Sequence, residues 1–307
     1  MREALTTQLM KLDDLEESDN VEDRRSEGGG GGGGFSFGGG GGGIPLGGKG
    51  LALVAVVAVV MLIMGKDPRA LLNIVAGGGG SPAPMHAPAA PDDPAMVTFV
   101  KKVLGSTETV WTAEFQKMGK TYPKPHLDMF TQRIRSGCGL ADAGMGPFYC
   151  PEDQKVYIDL SFYKELKDRF GAPGQFAQAY VIAHEVGHHV QHVLGLSRPL
   201  DEARARGASE KEINALSVRL ELQADFLAGM WAKKQDERNH FLDPGDIEEA
   251  MRCAKAIGDD TLQRQAQGRV VPDSFTHGSS AQRMKWFMKG YQTGDINQGD
   301  TFHATDL

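Results

Sequence analysis

The chain has 307 residues, a formal net charge of −7 and 40 glycines, about half of them between Gly28 and Gly80, where no packed core can form. The foldable part is therefore the C-terminal two-thirds. Residues 1 to 27 hold nine acids against four bases, and no basic stripe or aromatic-interleaved Lys/Arg cluster follows, which excludes nucleic acid as a partner.

In chain order, residues 1 to 49 form an acidic tail followed by two glycine tracts, Gly28 to Gly34 and Gly38 to Gly43, and read as disordered. An unbroken apolar run of 14 residues, Leu51 to Met64, comes next. It lies between glycine-rich stretches with nothing to cover a helix that is apolar all round, so residues 50 to 66 are expected to be a single transmembrane anchor, with Lys49 and Lys66 at its ends. Cation counts on the two flanks leave its orientation open. Residues 67 to 95 are a Gly/Pro/Ala-rich tether, and residues 96 to 307 are the compact domain.

That domain opens with a helix through Val97, Val100, Lys101 and Leu104 and a second from Thr107 to Met118. Cys138 and Cys150 bracket a Gly-rich loop and are expected to form a disulfide if the domain faces an oxidising compartment; Cys253 reads as a buried apolar residue. Alternation over Lys155 to Leu160 marks a strand. A short sheet beside a helix can offer its edge to an extended peptide.

A helix is expected from Gln175 to Leu194, stopped by Gly195 and apolar around most of its girth. It carries His184-Glu185-Val186-Gly187-His188, the HExxH pattern. Residues four apart share a helix face, so both imidazoles reach one metal ion while Glu185 sits beside them. His192 lies a turn further on and His189 points about 100° away, so neither is counted as a ligand.

A catalytic zinc needs a third protein ligand. The next helix, announced by Ser209 and Glu212 as a capping box, places Glu221 and Asp225 in an apolar stripe, where carboxylates require a counter-charge or a metal. Glu221 is assigned as third ligand and Asp225 as the acceptor behind a ligating histidine. The exchanged assignment stays open, as does an acidic pair bonded to arginines such as Arg219 or Arg283. Later helices start at Asp243-Pro244 and at Ser279, the latter running from Ser280 to Tyr291.

His184 to Gln191 and Glu221 to Gly229, with Asn20 to Arg25, Pro147 to Pro151 and Thr276 to Ser280, resemble the YpfJ-type neutral zinc metallopeptidase family over essentially the whole chain. The Glu221/Asp225 element is also similar to that of the membrane CAAX proteases, in which the glutamate ligates zinc. The resemblance implies a bacterial, membrane-anchored peptidase domain outside the cytoplasmic membrane.

The expected fold is α+β, a mostly helical zincin-like domain with a small sheet. One zinc per chain, held by His184, His188 and Glu221, would activate water for peptide hydrolysis with Glu185 as general base. His277 is the first choice to stabilise the developing oxyanion, with Tyr157 and Tyr180 as competitors. The partners are then a peptide or protein substrate and the membrane. The rival account is an inactive membrane-tethered scaffold on the same frame.

Overall fold

The computed structural model describes residues 10–26, 93–142, 145–168, 170–172 and 174–307. Strand β1 (Val21–Asp23) precedes helix α1 (Pro94–Lys117), followed by strands β2 (His126–Phe130), β3 (Arg133–Ser136), β4 (Gly139–Asp142), β5 (Phe148–Cys150) and β6 (Lys155–Asp159). Helices α2 (Ser161–Asp168), α3 (Gln175–Leu194), α4 (Arg198–Ala205), α5 (Glu210–Asn239), α6 (Asp246–Ala256), α7 (Asp259–Gln267) and α8 (Ser280–Thr293) complete the described fold.

The apolar girth of α3 is explained by its position: α1, α5 and α6 pack around it, and Phe176, Tyr180, Ile182, Val186 and Val190 are all fully buried. Gly195 ends it in the left-handed region at φ 70°, as expected. Helices α5 and α8 approach most closely where Gly229 faces Phe287 and Gly290 faces Phe226; a methyl on either glycine would run into the opposite backbone carbonyl. That contact joins the second half of α8 to the middle of α5.

Sheet order is β1-β2-β6-β5, with β1, β2 and β6 parallel and β5 antiparallel at the edge. Val156 and Ile158 of β6 point into the main core, whereas Tyr157 points into a smaller cluster with Phe130, Ile134 and Cys150. The expected alternation of this strand is present. The hairpin β3-β4 stands apart from the sheet, and the Cys138–Cys150 disulfide links it to β5 across a Cα–Cα distance of 5.8 Å.

Four expectations are corrected. The fold class included a transmembrane helix, but no helix among the described residues is long and apolar enough to cross a membrane; the run at 50–66 lies outside those residues. The described fold is mostly helical with a small sheet, and its longest helices, α5 with 30 residues and α1 with 24, carry charges along their length and serve the core.

Residues 10–26, assigned to a disordered tail, are ordered. Met10 and Leu15 are buried, β1 pairs with β2, and polar side chains on the segment find buried carboxylates. Ser18 and Asn20 donate to Glu108 at 2.6 and 2.7 Å, and Arg24 reaches Asp128 at 3.0 Å, where Lys155 also binds at 3.2 Å. Most of the acids face outward, so the charge that suggested disorder costs little.

The two expected N-terminal helices are one. Asp93 caps α1 by accepting from the Ala95 and Met96 amides, and Pro94 takes the first turn. The helix continues through Gly105-Ser106 because Glu16 to Ser18 lie directly on Gly105. Finally, α6 starts at Asp246 rather than Pro244, since the Asp246 carboxylate accepts the Asp243 amide at 2.8 Å and holds a preceding turn, with Gly245 at φ 102°.

An added methyl at Gly105 would collide with the Glu16 carbonyl. Gly105→Ala should therefore cost about 1–3 kcal/mol in urea denaturation and make residues 10–26 cleavable in limited proteolysis. Unchanged stability and protection would refute this packing.

Candidate metal centre

Gly187, inside the HExxH segment, is what lets α3 and α5 meet: an added Cβ would lie 3.1 Å from the Ala224 carbonyl oxygen and 3.3 Å from its Cα. At that crossing His184, His188 and Glu221 come together, their ligand atoms all within 4.8 Å of one another. His184 Nε2 is 3.2 Å from Glu221 Oε2 and His188 Nε2 is 3.6 Å from Glu221 Oε1. Two atoms bound to one tetrahedral zinc at about 2.0–2.1 Å lie about 3.4 Å apart, so these separations fit the ion.

The other ring nitrogens are occupied. His184 Nδ1 faces Asp225 Oδ1 at 2.9 Å and His188 Nδ1 faces Gln191 Oε1 at 2.9 Å. Each ring is held through Nδ1, which turns both Nε2 atoms toward the cluster.

Asp225 is fully buried. The Arg283 guanidinium of α8 binds it in a fork, Nε to Oδ2 at 2.8 Å and Nη2 to Oδ1 at 2.9 Å, and the Tyr180 hydroxyl donates to it as well. Burial alone would raise this carboxyl, but Arg283 and then His184 outweigh it and bring it down to about 2. Burial likewise opposes charge on His184, yet the Asp225 carboxylate beside it pushes the imidazole up to about 10. A zinc ion held by His184 and Glu221 would take the place of the proton that otherwise links them.

Glu221 is itself held well below the usual carboxylate range: burial would raise it, but the interactions with His188, His277 and His184 outweigh that. Glu185 is buried beside the cluster and accepts a hydrogen bond from the Tyr149 backbone amide of edge strand β5; burial pushes its carboxyl up, opposed by the two histidines.

His277 sits in a turn that Asp259 organises, with Oδ2 accepting the backbone amides of Thr276, His277 and Gly278 at 2.7, 2.7 and 3.1 Å. Its Nδ1 is 3.3 Å from Asp259 Oδ1. Burial would lower the His277 imidazole, but Glu221 and Asp259 raise it, so its charge is felt at the cluster.

The competitors for its role are engaged elsewhere. Tyr180 is held by Asp225 and Arg283, and the Tyr157 hydroxyl donates to Asp153 at 2.7 Å. His189 is fully buried, its Nε2 donating to the Pro123 carbonyl at 2.6 Å and its Nδ1 accepting from the Tyr149 hydroxyl at 3.1 Å; burial brings it down to about 4. His192 is half-buried next to Tyr149.

Over residues 10–302 the chain matches the model of the family described as "Putative neutral zinc metallopeptidase". The chain belongs to that family. It is 47% identical over 286 residues to the uncharacterized protein YpfJ of Escherichia coli, covering 93% of this chain and 96% of that one. It is 43% identical over 212 residues to the uncharacterized protein Mb2605 of Mycobacterium bovis, covering 66% and 69%. No solved structure matches. Membership in a zinc metallopeptidase family implies zinc at a cluster of this composition and peptide or protein substrates in general terms.

Reasoning on sequence missed Gln191, Tyr149 and Asp259, and it counted Arg283 only as a rival explanation for the acids. Gln191 was detectable at three residues past His188; Asp259 and Tyr149 carried no signal, because their contacts are long-range. Arg283 serves Asp225 without displacing His184, so the metal and arginine explanations hold together.

Removing Arg283 leaves a buried charge uncompensated. Arg283→Met should destabilise the metal-free protein by about 3–5 kcal/mol in urea denaturation, and Asp225→Asn added to it should restore part of the loss. A single variant as stable as the parent would contradict the pairing.

Proposed function

We propose that this chain is a zinc-dependent endopeptidase with His184, His188 and Glu221 as metal ligands and Glu185 as general base. The reading is carried by one observation: two imidazoles whose Nδ1 atoms are committed elsewhere turn their Nε2 atoms onto a single carboxylate, with an HExxH glutamate alongside. A purely structural site has no use for that glutamate.

Bound zinc supplies Lewis acidity toward a water molecule and the scissile carbonyl. The remaining work falls to the chain. Glu185 takes the proton of the attacking water and delivers it to the leaving amine. His277, oriented through Nδ1 by Asp259, offers its Nε2 proton to the carbonyl oxygen as negative charge develops there.

The edge of β5 lies against α3, where an extended peptide can pair as an added strand. The Cys138–Cys150 disulfide supports an oxidising, extracytoplasmic compartment for the domain.

Glu185→Gln should keep stoichiometric zinc while lowering peptide cleavage by at least about 10³-fold, read by metal analysis and a proteome-derived peptide library. Chelation should abolish cleavage by the parent, and added zinc should restore it. Equal cleavage by parent and variant would refute a base at this position and favour a non-catalytic scaffold.

Mass spectrometry of alkylated protein from extracytoplasmic fractions should find Cys138 and Cys150 protected and Cys253 free in the denatured chain. Reduced Cys138 and Cys150 would argue for a reducing compartment.

A further inference from the structure

A line of buried amides runs away from His188, and each step has its direction set. Gln191 Oε1 is 2.9 Å from His188 Nδ1, while Gln191 Nε2 donates to the Leu220 carbonyl at 2.7 Å and to Gln223 Oε1 at 3.0 Å. Gln223 Nε2 in turn donates to the Gly299 carbonyl at 2.9 Å. Both side chains are nearly inaccessible, at 1% and 5% exposure, so water cannot replace these partners.

An isolated glutamine amide can be turned over without changing its shape, but backbone carbonyls only accept. The Gly299 carbonyl compels Gln223 to present its oxygen to Gln191. The Leu220 carbonyl, together with that oxygen, compels Gln191 to present its own oxygen to His188. An acceptor at Nδ1 requires the Nδ1–H form of the ring, whose lone pair is on Nε2.

We propose that Gln191 and Gln223 are positioning residues that set the tautomer of His188 and so prepare it to bind a metal through Nε2. The inference rests on the zinc-peptidase reading above. It gives the two histidines different supports: Asp225, an anion, behind His184, and a neutral amide behind His188. Gln191 also joins α3 to the carbonyl of Leu220, the residue before Glu221, so one side chain aligns a ligand on each helix.

Removing an outer partner of a ligating histidine typically weakens metal binding about 10–100-fold. In the full chain, Gln191→Met should lower zinc affinity by that factor in competition with a chelating dye, with no requirement that peptide cleavage be measured. Nitrogen-15 spectra of the zinc-loaded parent should show His188 protonated at Nδ1 and coordinated through Nε2; this measurement needs no variant and decides the matter even if Gln191→Met fails to fold.

Coordination of His188 through Nδ1, or zinc affinity of Gln191→Met within about twofold of the parent, would overturn the relay and leave the peptidase reading standing. Failure of the parent to bind zinc would overturn both.

Discussion

The arrangement depends on one buried carboxylate. Asp225 lies in the apolar middle of α5, where an ionised side chain survives only with charge and hydrogen bonds around it. Arg283 supplies the charge from α8, Tyr180 adds a hydroxyl from α3, and the remaining capacity goes to His184 Nδ1. Three helices are thereby tied to one side chain, and the orientation of a candidate metal ligand, His184, follows from satisfying it. The glycine contacts at Gly187, Gly229 and Gly290 are what bring those helices close enough.

The centre is thus built on rigid elements rather than loops. His184, Glu185 and His188 come from one helix and Glu221 from another, and the two are joined by Gly187 packing on Ala224 and by Gln191 binding Leu220. The exceptions are His277 and the β5 edge, which approach from a turn and a sheet margin. Asp259 and the Tyr149–His189 contact hold those two parts in place, so the pieces with the least regular structure have the most specific polar anchors.

Much of the centre was legible in sequence because helical spacing is local. The i, i+4 relation of His184 to His188 and of Glu221 to Asp225, the stop at Gly195 and the cap at Ser279 each follow from a few adjacent residues. What was not legible depends on distant contacts. Strands β3, β4 and β5, with three or four residues each, are too short to show a period, β2 is buried on both faces and so does not alternate, and α1 runs through Gly105 only because residues from the tail cover it. Average composition misled at 10–26, where a handful of buried groups outweigh an excess of acids, and at 50–66 an apolar run invited a membrane reading that no described helix supports.

Strand β1 has a kinetic consequence. Val21 pairs with Leu127, so the sheet margin near the start of the chain waits for a partner made about a hundred residues later. At synthesis rates of about 5–20 residues per second that is a delay of roughly 5–20 s, long compared with hairpin or helix formation. Until then Glu108 and Asp128, the carboxylates that Asn20 and Arg24 bind in the fold, have not been made, so docking of the segment waits for them and closes a long loop.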